Sequence, residues 1–188
     1  MANEVLIKVG TQVSFADHAG DFSPTAANAI ETGTPSNVDL AMASLAAGSA
    51  VNSDKVDLGA TRAREYAVDA CLEFAASIAA GDIVNFYWAP AANSTAASGN
   101  PGGADGVDGA YTGDSSNLTS AIPQLQRIGR FVCTEVATSE GVQIAHIGTF
   151  SPAHRYGQLI VVNDASVAFH SDDVEMNVTM TPIIEEIQ

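Results

Sequence analysis

From residue 65 to residue 90 the chain reads EYAVDACLEFAASIAAGDIVNFYWAP, and its first ten residues alternate. Tyr66, Val68, Ala70, Leu72 and Phe74 fall on one side of a two-residue period, with Glu65, Asp69, Cys71 and Glu73 on the other. Successive side chains of a strand point to opposite faces, so this period predicts a strand with one buried and one wet face. Ala79-Ala80-Gly81-Asp82 is turn chemistry, and residues 83–88 read as a second, more apolar strand of a hairpin-like unit. A chain built around such a unit is directed towards an antiparallel sheet.

The downstream sequence repeats this grammar. Strands are predicted at 128–136, 142–150, 156–162, 167–170 and 174–182, with Asn163-Asp164 and Ser171-Asp172-Asp173 as turns. In the last of these, Val174, Met176, Val178 and Met180 share one face, opposite Glu175, Asn177, Thr179 and Thr181. Short strands are also expected at 5–9 and 12–15 around Gly10. Residues 17–37 read as extended loop, and 38–47 as a strand on the alternation of Val38, Leu40 and Met42. The expected fold is all-β: an antiparallel β-sandwich of jelly-roll type with about eight strands. It divides into an N-terminal arm with irregular strands over 1–60 and a sandwich domain over 61–188.

One long insertion interrupts the strands. Residues 91–121 are rich in Gly, Ser, Asn and Ala, and their only sizeable anchors are Tyr111 and Leu118. Loops of this length inside a compact domain are usually functional or disordered. Here the expectation is a surface excursion that touches a neighbouring molecule.

The charge balance excludes some partners. With 22 acidic residues against 7 basic ones, the net charge is −15. Neutralising phosphates takes clustered Lys and Arg, and the largest basic groupings are the pairs Arg62/Arg64 and Arg127/Arg130. Neither nucleic acid nor an anionic membrane is an expected partner. The start MANEVLIKVG lacks a signal peptide's basic region and apolar run, so synthesis in the cytoplasm is expected. Cys71 and Cys133 are then free thiols.

Candidate chemistry is sparse. Asp105, Asp108 and Asp114 interleave with glycines, but their spacing is not that of a calcium loop, and turn formation is the preferred role. His18, His146, His154 and His170 are scattered without a His-x-His pair, and no Gly-x-Ser-x-Gly or phosphate-loop pattern occurs. No enzyme activity, cofactor or metal is expected. Tyr87, Trp88, Tyr111 and Tyr156 are the rings a glycan platform could use, although Phe86 and Trp88 read as core and Tyr87 as rim.

The 65–91 unit, the insertion, IGRFVCTEV and RYGQLIVVNDASVAFHSDDVEMNVTMTPIIEEI together resemble small virion structural proteins of tailed bacteriophages. They are most similar to jelly-roll head decoration, or cement, proteins. The resemblance covers roughly residues 60–187 and rests on block order and texture. It implies a non-enzymatic protein on the capsid exterior, made in the host cytoplasm, that binds the major capsid protein and bridges capsid subunits as a homotrimer. The expected contact residues are Val5, Leu6, Ile7, Phe15 and Phe22 in the N-terminal segment, and Tyr111 and Leu118 in the insertion. A tail or baseplate subunit and a glycan-binding module are the alternatives.

Overall fold

The computed structural model describes residues 5–137 and 141–187. Its strands are Val5–Val9 (β1), Val13–Ala16 (β2), Ser36–Asp39 (β3), Ala50–Asn52 (β4), Val56–Asp57 (β5) and Glu65–Phe74 (β6). They continue with Ile83–Ala91 (β7), Gly109–Ala110 (β8), Gln126–Val132 (β9), Gly141–Phe150 (β10), Tyr156–Asn163 (β11) and Asn177–Ile187 (β12). The only α-helix among the described residues is Leu118–Ala121 (α1). The fold is an all-β sandwich of two antiparallel-rich sheets. One has the order β10-β6-β12-β2-β3, with β1 added along β12. The other has the order β8-β4-β11-β7-β9, with β5 added along β11.

The antiparallel pairings nest. β2 pairs with β12, β4 with β11, β6 with β10 and β7 with β9, so early strands meet late ones and the innermost pair is the closest in sequence. Two further ladders, β12–β6 and β11–β7, stitch these pairs into sheets. Only β2–β3 is parallel among the described pairs.

The alternation of β6 is realised on its inner face: Tyr66, Val68, Ala70, Leu72 and Phe74 are all buried in the main core. Facing them across the sandwich are Val84, Phe86 and Trp88 of β7 and Leu159 and Val161 of β11. β6 and β7 therefore do not form a hairpin; they lie in different sheets, and the 75–82 connection crosses between them. Two strands that each carry a full row of large apolar side chains bury more by facing one another than by lying side by side. The outer face of β6 is also drier than its sequence implies. Cys71, opposite Asn177 and Ile144, is fully buried.

The described residues before position 60 are part of the sandwich rather than an arm. β2 and β4 are paired within the sheets, and Phe15, Leu40, Met42 and Val51 belong to the main core. The strand expected at 38–47 ends at Asp39. Leu40 and Met42 still reach the core because carboxylates replace a ladder partner for the backbone beyond it. Asp108 accepts from Ala41 N at 3.0 Å, and Asp173 Oδ2 accepts from Met42 N and Ala43 N at 2.9 and 3.0 Å. The strand expected at 167–170 is reduced to a bridge between Phe169 and Phe74.

Candidate interaction surfaces

The insertion does not leave the body of the protein. It folds back on the outer face of the β8-β4-β11-β7-β9 sheet and builds a second small core there. Tyr111, Ala104, Ala121 and Leu125 pack against Ala50, Ala89, Ile160 and Val162, with Leu118 and Tyr87 partly buried at its margin. Tyr111 is its anchor. The hydroxyl donates to Gly102 O at 2.6 Å, the backbone N–H to Ala50 O at 2.8 Å, and burial pushes the phenol up to about 12. A sequence dominated by small residues can do this because β11 and β7 present an apolar outer face that small side chains cover closely.

Polar groups shape the rest of the loop. Lys55 Nζ donates to the carbonyls of Asn93, Thr95 and Ser98 at 3.2, 2.6 and 2.9 Å, so the backbone wraps an ammonium group. Asn100 Nδ2 joins Ala96 O and Ala104 O, and Asn117 caps α1 through its side-chain oxygen on Ser120 N. Sequence reasoning assigned no role to Lys55 or Asn100. Asn117 just before Leu118 is a residue type that caps helices, a signal in the sequence that the reading above did not use. Of the loop aspartates, Asp105 serves a turn, accepting from Val107 N as well as from Asn52 Nδ2, whereas the Asp108 carboxylate reaches across to Ala41 N and its own N–H donates to Asp54 Oδ1.

A strap over 17–35 crosses the outer face of β2 and β12. Gln12 Oε1 accepts from Thr32 N, Ser14 Oγ donates to Glu31, and Asn28 donates to Glu175. Beneath it Ser14, Asn177 and Thr179 are fully buried.

Among the expected contact residues, Phe15 is fully buried and Tyr111 is 3% exposed, so both serve this chain's own interior. Phe22 is half-buried, edge-on to His18 at 5.1 Å, and Leu118 is half-buried against the second core. Val5, Leu6 and Ile7 lie in β1, paired with β12, and their side chains lie outside the described residues. Val5, Leu6, Ile7 and Phe15 belong to strands of one sheet, whereas Tyr111 and Leu118 pack on the other. Of the rings considered for glycans, Trp88 and Tyr111 are interior and Tyr87 lies against the insertion. Tyr156, beneath the Arg155 guanidinium at 5.0 Å, is half-buried.

One acidic grouping was invisible in the sequence because its members are far apart along it. Asp17, Asp21 and Asp173 bring a carboxylate oxygen each within 4.8 Å of one another. Burial raises the Asp173 carboxyl, its hydrogen bonds to Met42 and Ala43 oppose the rise, and Asp17 and Asp21 add to it. Burial likewise raises Asp108 against the pull of Ala41 N, with Asp54, Asp17 and Asp39 contributing. The oxygen donors are of the kind a hard cation takes, but Asp173 Oδ2 is already occupied by two amides.

Other titratable groups are framework. His146 Nδ1 lies 2.9 Å from Asp69 Oδ1 across the β10–β6 ladder, on the exposed face. Cys71 and Cys133 are free and buried; burial pushes their thiols up to about 12 and about 11. Such thiols are protonated at neutral pH and poor nucleophiles. No protein-family model and no curated protein matches the chain.

Proposed function

We propose that this chain is a virion structural protein of a tailed bacteriophage that binds the outer surface of the capsid and stabilises it by bridging subunits of the major capsid protein. The observation that carries this reading is the nested strand order, β2-β12-β6-β10 over β4-β11-β7-β9. That order is what a long antiparallel hairpin gives when rolled into two sheets. We read it as a jelly roll, the fold implied by the resemblance of residues 60–187 to head decoration proteins. A surface of net charge −15 suits the outside of a shell better than its DNA-facing interior.

In this reading, function is adhesion rather than chemistry. Many copies on one lattice stabilise the assembled state by mass action. The copies act as a homo-oligomer, a trimer in the resemblance, on the exterior of a particle assembled in the host cytoplasm.

The test is reconstitution. Purified protein is mixed with expanded capsids that lack it, and both co-sedimentation and the temperature of capsid disruption are measured. The expected result is saturable binding with an upward shift in disruption temperature. If it neither binds nor shifts that temperature, it is not a decoration protein.

A further inference from the structure

The course of the 17–35 strap follows from topology. β2 and β3 are parallel neighbours, from Val13 beside Ser36 to Ala16 beside Asp39. The chain leaving Ala16 must therefore travel back along the whole of β2 before β3 can start. A helix is the usual vehicle for such a crossover, and here the return is made without one. The β2–β3 ladder pins both ends of the strap, and its middle lies across the outer face of β2 and β12.

What holds the middle down is polar. Ser23 N donates to Val174 O at 2.9 Å, Thr25 N to Glu175 Oε1 at 3.3 Å and Thr32 N to Gln12 Oε1 at 2.9 Å. Asn28 on Glu175 and Ser14 on Glu31 complete the fastening. No residue of 17–35 is buried, and none belongs to either core. Even the Phe22 ring packs edge-on to His18 of the strap itself. Segments held by few buried apolar contacts open locally at low free energy.

The floor beneath is polar too, and unsatisfied. Asn177 and Thr179 are fully buried on β12. Neither atom of the Asn177 amide head nor the Thr179 hydroxyl has a hydrogen-bond partner among the described residues. A buried polar group left unpaired carries its full desolvation penalty, larger than the net stabilisation of an ordinary hydrogen bond. Closing the strap makes a handful of surface bonds and dries these groups. Opening it hydrates them and restores the conformational freedom of the segment.

We propose that the strap is a releasable cover, which opens about its two pinned ends with the sandwich intact and bares the polar face of β2 and β12. The closed form is the ground state, and the open one is reached well below the free energy of global unfolding. Cys71 reports the motion. It stands beside Asn177 in the β12–β6 ladder and is fully buried. Asn28 of the strap lines a groove with Glu73, Val142 and Glu175, each two positions along the chain from Cys71, Ile144 or Asn177. The Cys71 thiol is therefore shut off while the strap is down and reachable when it lifts. Cys133 belongs to the main core and gains nothing from that motion. This inference concerns a motion within one chain and stands apart from the capsid reading.

The test is iodoacetamide labelling of the folded full chain, read for each thiol by mass spectrometry of its peptide. Cys71 should react at a rate that low denaturant hardly changes, because lifting the strap exposes little surface. A Cys71 rate that rises with denaturant as steeply as global unfolding does overturns the proposal. Asn28→Ala removes one surface fastening and should speed Cys71 labelling about tenfold, with Cys133 unchanged. Thr179→Val replaces a dry hydroxyl by a methyl of similar shape. The closed form then strands one polar group fewer, and Cys71 labelling should slow about tenfold. Either variant leaving the Cys71 rate where it was, or moving both thiols in step, also overturns the proposal. Capsids take no part in these measurements, so failure here leaves the capsid reading as it stands.

Discussion

Asp173 shows how much one side chain can hold. It is 3% exposed and gives a single carboxylate oxygen to two amides of the segment that seats Leu40 and Met42. Asp173→Leu leaves both amides without that acceptor and should cost about 1–3 kcal/mol for each one left buried; chemical denaturation measures the loss. Asp173→Asn keeps an acceptor and removes a charge. Because the folded pKa of Asp173 is raised, its favourable contribution is complete below the unfolded carboxyl pKa and is lost as pH rises through the folded one. Asp173→Asn should therefore melt above the natural protein at neutral pH, and the gap should close as pH falls. Melting curves across that range check the sign; a gap that widens on acidification contradicts it. Gly157 is constrained in another way, since a Cβ there would land on the Trp88 indole. Gly157→Ala should destabilise by about 1–3 kcal/mol through overpacking.

At the level of elements, the insertion behaves as a separate unit fastened at Tyr111. Tyr111→Ala should free residues 92–124 for proteolysis, while the main core, to which Tyr111 does not belong, still unfolds cooperatively. Tyr111→Phe loses only the bond to Gly102 O, about 1 kcal/mol. It should also remove an alkaline transition. A phenol raised to about 12 contributes fully below its unfolded pKa of about 10 and loses that contribution as pH rises through about 12. Near-ultraviolet spectra of both proteins over that range make the comparison. The rows Tyr66–Phe74 and Met176–Met180 were legible in the sequence because alternation is local and needs no partner. Which strands pair was not, so β6 and β7 read as neighbours although they face each other across the core. The insertion read as surface because the apolar wall it covers, Ile160 and Val162, belongs to a strand far along the chain. Tyr111 was correctly singled out as an anchor, but for its own sheet rather than a neighbour.

For the whole molecule, the same features argue for a rigid body. Loops that looked free are tied down, the insertion by Lys55 and Tyr111 and the strap by Gln12, Ser14 and Glu175. A body with its loops ordered in advance loses less entropy on docking than one whose arm must fold against a lattice. Among the described residues, β12 beyond Ile183 pairs with β1 on one edge and has no ladder partner on the other. The central claim is location, and cryo-electron microscopy of the native particle addresses it most directly. The account predicts density fitting this two-sheet sandwich on the outer surface of the capsid, repeated over the lattice and in contact with more than one capsid subunit. Density for it only in the tail, only inside the shell, or nowhere in the particle would contradict the account.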